Sequence, residues 1–501
     1  MADLRERHDH PADGMTAATD SARCPQPGAD HGRPSGAEGP SLRATVLAGV
    51  ALALSLAATS LMNVAVFPLF DAIFTFARDI SVTAGALTFL AIGLVSYRAP
   101  RMLTPRSYAL ITAVSLVGGG ALLAAALLTG AAPLLVAGSC LFAVGRTGTS
   151  VLAYLALSTL PTLRAAGAIC LACLAQFVVG GLTALPPVPG VALYLALPCL
   201  AAAIAFPIGS AVLRRAAVTE PPSDWAVTRP MSFIAPLSSL FVCLFLFNVA
   251  FGFSLRFDEV AGAPQSTAVS ALPALVAAAW VIGTRRRFPA DLAVRLSALV
   301  IIAGLLLAST GQAGYVRAAV TLLNAGNALF GLTAQLALVA IASRNLLGAA
   351  TVIAWGQGAS SIGSLVGAAA GMVANASVAA DHSLVFPIAA VLLLLFASYL
   401  MLGMRDFSFQ RVIDGVEPLD PEAASEAPAD VFAARCEELA ADHGLTPREA
   451  EVFQMLARGR NREYIEEALV VSRNTVKAHV KHIYAKLGIH SHQELIDLVE
   501  G

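Results

Sequence analysis

Between about Ser41 and about Gly403 the chain is a succession of apolar runs that contains no Lys at all. Inside lipid every backbone polar group must be satisfied internally, and a helix of roughly 20 apolar residues crosses a hydrocarbon layer ~30 Å thick. Twelve such segments are legible, near 44–67, 80–97, 108–129, 132–157, 164–185, 189–213, 232–254, 267–284, 291–310, 317–342, 347–374 and 384–404. All three Lys residues (Lys477, Lys481 and Lys486) lie in one short stretch near the end. One region is built for lipid and another for water. Only 13% of residues are charged and 57% are hydrophobic, whereas an ordinary soluble domain is about 25% charged.

The loop charges test the span count, because short cytoplasmic loops collect Arg and Lys. With the N-terminus inside, the inner loops hold Arg98, Arg101 and Arg106; Arg164; Arg214, Arg215 and Arg229; Arg285, Arg286, Arg287 and Arg295; and Arg344. Arg43, Arg405 and Arg411 flank the whole on the same side, and the outer loops hold only Arg78, Arg256 and Arg317. The alternation predicts a multi-pass protein of the inner membrane, with the bilayer as its partner and both termini cytoplasmic.

The first 40 residues are rich in Pro, Gly, Asp, Arg and His and read as a disordered tail, without the early apolar segment of a signal peptide. Residues 41–404 form the membrane domain. Its longest polar break, 214–230, contains Glu220-Pro221-Pro222-Ser223-Asp224 and divides the spans six plus six. That layout resembles the major facilitator superfamily of transporters, whose halves are parallel six-helix repeats. The stretch Tyr97-Arg98-Ala99-Pro100-Arg101 departs from that family's loop signature, since it lacks the glycine–aspartate pattern.

Polar residues within the spans are candidate ligand contacts. Arg146 falls near the middle of the fourth segment, where a charge costs at least about 2.5–3.5 kcal/mol and usually faces the bundle interior. It suits an anion or carboxylate contact, or an internal hydrogen bond. Asn324, Asn327, Gly331 and Gln335 share one face of the tenth segment, as a cavity lining or as interhelical hydrogen-bond partners. Trp355 and Gln357 are further candidates. Gly363, Gly367 and Gly371 read as a ridge for close helix packing. Cys140, Cys170, Cys173, Cys199 and Cys243 lie in apolar runs, where Cys acts as a small hydrophobe. The Cys170–Cys173 spacing has no second pair beside it, so no metal or cofactor is expected.

From 405 to 444 the composition turns to Asp, Glu, Pro, Ala and Ser, an acidic linker, with a short helix expected over 431–441. Residues 445–501 carry the punctuation of a small helical domain. Thr446-Pro447-Arg448-Glu449 is a capping box with Pro at the first helical position. Val452, Phe453 and Leu456 line one face, and Gly459 stops the helix. A second helix is expected near 463–469. Ser472 caps a third, in which Val476, Val480, Ile483 and Leu487 form the buried stripe and Gly488 the end. A fourth is expected near 491–499.

On the third helix Arg473, Lys477 and Lys481 are spaced i, i+4, i+8 on the solvent face, with Asn474 and Thr475 in the first turn. No Asp or Glu occurs between Glu467 and Glu494. Major-groove reading requires such a helix, although a protein-binding bundle can also present a basic face. Four separated motifs decide between them: Leu445-Thr446-Pro447-Arg448-Glu449, Gly459, Ser472-Arg473-Asn474-Thr475-Val476-Lys477-Ala478-His479 and Lys486-Leu487-Gly488. Together they resemble the LuxR-type helix-turn-helix family. The resemblance implies double-stranded DNA as partner, 473–486 as recognition helix and dimer contact through the fourth helix. It places base reading on Asn474 and Lys477. Ser472, Arg473, Thr475, Lys481 and His482 become phosphate contacts, and His479 stands at a family position. Glu466, Arg462 and His492 depart from the family's usual Ala, Asn and Arg.

The expected architecture is therefore all-α, a twelve-helix (6+6) membrane bundle followed by a four-helix LuxR-type domain. The expected function is transcription control through the C-terminal domain, with a small molecule or membrane signal sensed by the body. The alternative is a secondary transporter fused to a regulatory DNA-binding domain. Its coupling acids are few, since Asp71, Asp79, Asp258 and Glu259 fall at edges or in loops. No paired intramembrane carboxylates, nucleophile–base arrangement or glycine-rich phosphate loop points to an enzyme.

Overall fold

The computed structural model describes residues 42–180, 186–218, 239–261, 268–310, 313–378, 385–402, 404, 407–414, 429–457, 465, 469, 472–489, 494–495 and 498. The 1–40 tail, most of the 214–230 break and most of the second and fourth helices of the C-terminal domain lie outside these residues. So do the side chains of Arg473, Asp258 and Glu259.

Helices account for the membrane body: α1 Leu42–Leu61, α2 Phe67–Asp71, α3 Ala77–Arg98, α4 Pro105–Thr129, α5 Ala132–Ser158, α6 Thr162–Gly180 and α7 Pro187–Val218 in the first half. The second half holds α8 Ser239–Ala261, α9 Ala268–Ala278, α10 Ala290–Ala308, α11 Ala313–Arg344, α12 Ala349–Val378 and α13 Val385–Leu402. A helix overlies each expected apolar segment. Among the described residues nine helices are long and apolar enough to cross a membrane, and two shorter apolar helices, Val269–Gly283 and Pro387–Leu402, stand at the eighth and twelfth positions. A π-helical segment, Met62–Val66, joins α1 to α2, and another, Ala279–Gly283, extends α9.

Three expectations need correction. Arg214 and Arg215 belong to α7, which runs on to Val218. Arg78 and Arg256 are buried helix residues, 6% and 5% exposed, rather than loop residues. The acidic linker carries, besides the helix expected over 431–441, an unexpected one: α14 Phe409–Asp414 precedes α15 Ala429–Asp442. Phe409 is buried in the second half's core, because an aromatic in a polar stretch finds its apolar partners on the assembled body.

Close backbone approach holds the bundle together. A Cβ at Gly363 would overlap the Phe245 carbonyl oxygen, and one at Gly367 the Val249 carbonyl oxygen. Gly252 presses equally hard on Ser364. The glycine ridge is therefore the α8–α12 contact. Leu128, Leu394 and Leu402 face outward and exposed, as lipid-facing side chains do.

The C-terminal domain is built on the opposite plan. Around α16 Pro447–Ala457 and α17 Arg473–Leu487, an apolar core gathers Cys436, Leu439, Val452, Phe453, Leu456, Val476, Val480, Ile483 and Leu487. Ile465 and Leu495 join it from the second- and fourth-helix segments.

Candidate functional site

A cavity of about 400 Å³ lies between the two halves. Its walls come from α1, α3, α5 and α6 on one side and α8, α9, α11 and α12 on the other. Five expected ligand contacts line it: Arg146, Asn324, Asn327, Gln335 and Gln357, with Gly331 between the asparagines and Gln335. Trp355 does not. It turns toward α3, where a Cβ on Gly93 would meet its ring at 3.0 Å. Gln357 sits two positions on, and at 100° per residue that separation points the two side chains to different sides of the helix.

Arg146 Nη1 donates to Thr59 Oγ1 at 3.2 Å, tying α5 to α1. Its Nε is buried without a hydrogen-bond partner, as are both amide atoms of Asn327. Asn324 Oδ1 accepts from Ser254 Oγ at 3.2 Å. Cys173 Sγ stands 3.7 Å from Gln335 Oε1, a contact between the halves. At the end where α3 begins, Arg256 Nη2 donates to Asp79 Oδ2 at 2.7 Å. The pair joins α3 of the first half to α8 of the second. Asp79, expected at an edge, thus lines the cavity. Arg78 lines it too, donating to Asn63 Oδ1 at 3.4 Å with its guanidinium over the Phe67 ring.

The second site is α17. Ser472 Oγ accepts from Thr475 N at 3.3 Å, and the two hydroxyls are 2.8 Å apart, so the first turn is capped from within. Gly488 ends the helix at φ 70°, a backbone conformation costly for other residues. Ser472, Asn474, Thr475, Lys477, Lys481 and His482 are exposed, whereas His479 is half-buried. The helix presents a polar, basic face opposite its buried stripe.

One side chain the sequence reading treated only as a cap anchors this helix. Glu449, 5% exposed, closes the capping box by accepting from Thr446 N at 2.8 Å. Its Oε2 also accepts from Lys486 Nζ at 2.7 Å, bracing α17 against α16. Lys486 donates in addition to the Gly444 carbonyl at 2.9 Å. The Lys486 ammonium, with the Thr446 backbone N–H, holds the Glu449 carboxyl well below its ordinary value, at about 2. His482 Nδ1 lies 3.8 Å from Glu449 Oε1. The signal for the Glu449–Lys486 pair was present in the sequence as an acid at N3 of one helix and a Lys in the last turn of another. Nothing local linked them.

Residues 443–499 match the family model described as bacterial regulatory proteins, luxR family. The C-terminal segment is a LuxR-type helix-turn-helix domain. It is 45% identical over 60 residues to the Fimbriae Z protein of Salmonella typhimurium, covering 12% of this chain and 29% of that protein. It is 43% identical over 53 residues to the Oxygen regulatory protein NreC of Staphylococcus aureus, covering 11% of this chain and 24% of that one. The chain thus spans under a third of the length of these relatives. For the membrane body, a bacterial homologue of the iron transporter ferroportin, solved in an outward-facing state, aligns with a TM-score of 0.53 at 12% identity. The alignment covers 72% of this chain and 99% of that one. The major facilitator superfamily transporter FucP aligns with a TM-score of 0.47 at 15% identity, covering 74% of this chain and 98% of that one. The body therefore shares the multi-helix fold of that ferroportin homologue.

Proposed function

We propose that this chain is a membrane-embedded transcriptional regulator. It binds promoter DNA through α17 and receives a small-molecule signal in the cavity between the halves. The observation that carries the reading is the presence, in one chain, of a LuxR-type domain with an exposed basic recognition face and a membrane body with a polar internal cavity. Asn474 and Lys477 read base edges, where bidentate contacts discriminate by about 1–3 kcal/mol. Ser472, Arg473, Thr475, Lys481 and His482 grip phosphates from the helix start and its flank. The fourth-helix segment forms the dimer contact on DNA, and both termini face the cytoplasm.

Genome-wide occupancy of the full-length protein, with the Lys477→Ala/Lys481→Ala double variant as control, tests this. Discrete peaks lost in the variant are expected. Identical profiles for the two proteins would end the regulator reading.

The fold shared with a transporter homologue and the presence of Asp79 in the cavity favour a second reading, in which the body also moves its ligand. Counterflow of a labelled ligand in vesicles separates the two, since a pure sensor gives none.

A further inference from the structure

Arg146 is a permanent cation, because guanidinium does not deprotonate in proteins. Near the middle of a span it calls for a counter-charge, yet among the described residues its guanidinium hydrogen-bonds only to the Thr59 hydroxyl, and its Nε makes no hydrogen bond. The acid in the same lining, Asp79, is engaged at 2.7 Å by Arg256. Across the cavity α11 offers neutral amides, of which Asn327 makes no hydrogen bond through either atom. Between these polar walls stand Phe89, Phe177, Phe247 and Phe251. We infer that the cavity takes a small organic anion with an apolar body, its anionic group on Arg146 and its neutral polar atoms on the α11 amides. The assignment rests on the sensor reading only for what binding does to DNA, not for binding itself.

The test uses the full chain in detergent micelles with benzoate and 2-naphthoate as probes, and benzamide and 2-naphthamide as neutral matches of the same shape. Thermal unfolding and titration calorimetry should show saturable binding of the carboxylates and at least about tenfold weaker binding of the amides, since charge-assisted hydrogen bonds are the stronger kind. Arg146→Gln should abolish the difference. If that variant fails to fold, Gly331→Leu serves instead. A Cβ there meets nothing within 4 Å, so the side chain fills the cavity without straining the helix and should block both probes. Equal binding of acid and amide, binding that survives Gly331→Leu, or no binding of either carboxylate overturns the inference. Binding that leaves DNA occupancy unchanged would instead sink the sensor reading and leave the ligand assignment standing.

A separate observation concerns how the body could reach the linker. Asp291, at the start of α10, accepts from the Phe409 backbone N–H and from Ser408 Oγ, both at 2.7 Å, and so caps α14 from another helix. Phe409 packs edge-on against Phe330 and Phe407. A small second pocket is lined jointly by α14 (Gln410, Ile413), α6 of the first half (Leu163, Ile169) and α11 of the second (Leu336, Ala340). The geometry points to α14 as the element that passes the state of the seam between the halves to the linker. Asp291→Ala should release α14, seen as faster amide exchange over 407–414, and should shift reporter output at equal protein level. Ser408→Ala should do the same more weakly. Released exchange with unchanged output overturns this role, as does unchanged exchange.

Discussion

The membrane body and the C-terminal domain solve the same problem, holding helices together, with opposite materials. Where α8 meets α12 the contact is made by absence: Gly252, Gly363 and Gly367 let backbones touch, and large apolar side chains such as Leu128 and Leu402 point outward. Lipid gives helices no hydrophobic reason to associate, so close van der Waals approach has to supply it. Where α16 meets α17 the contact is made by bulk, with Phe453, Val476 and Ile483 fully withdrawn from water. There a charged pair, Glu449–Lys486, adds direction. Body and domain also differ in what they do with charge. The body buries Arg78 and Arg256, while the domain displays Lys477 and Lys481.

The sharpest way to break this contrast is to put bulk where the body needs none. Gly367→Leu drives a side chain into the Val249 backbone, so the α8–α12 contact has to open. A loss of about 3 kcal/mol or more is expected, above the usual range for overpacking because backbone yields less than side chains. It should be read as failure to purify as a monodisperse species in detergent. Amide exchange in α16 and α17 should be untouched.

The converse change acts on the domain alone. Glu449→Gln should cost about 2–3 kcal/mol at neutral pH, given the depth of the carboxyl's shift. The sign follows from a folded-state value near 2 against an ordinary 4.5. The stabilisation is complete above 4.5 and drains away as pH falls toward 2. Exchange protection of α16 and α17 in the full chain should therefore weaken across that interval. In the Gln variant protection should be low already at pH 6 and lose this component of its pH dependence.

Smaller effects sharpen the division of labour on α17. Lys477→Ala should weaken DNA binding by about 1–3 kcal/mol and relax base preference, whereas Lys481→Ala should weaken binding evenly across sequences and lower the salt slope by about 1. Equal effects of both changes on every sequence would merge the two roles. Ser472→Ala removes the cap of α17 and should cost about 1 kcal/mol of domain stability, measured by the same exchange experiment.

Local features were legible because their partners are close in sequence. The capping box from Thr446 to Glu449, the cap at Ser472, the stop at Gly488 and the stripe Val476, Val480, Ile483, Leu487 all stand where periodicity placed them. The face of α11 that carries Asn324, Asn327, Gly331 and Gln335 does line a cavity. Trp355 was misjudged because a span's polar residue was credited without its direction. Arg78 and Arg256 were misjudged because a charge near a span end reads as a loop residue until a neighbour draws it inward.

The sequence by itself determined which stretches are long and apolar, which face of α16 and of α17 is apolar, and that a LuxR-type domain follows the membrane body. Those properties follow from composition and from periods of a few residues. The tertiary structure alone decided that Asp79 meets Arg256 across 177 positions, that Arg146 lines a cavity with no carboxylate partner among the described residues, and that Phe409 is clamped by Asp291. Each of these depends on which helices become neighbours, and that is settled by the packing of all of them at once.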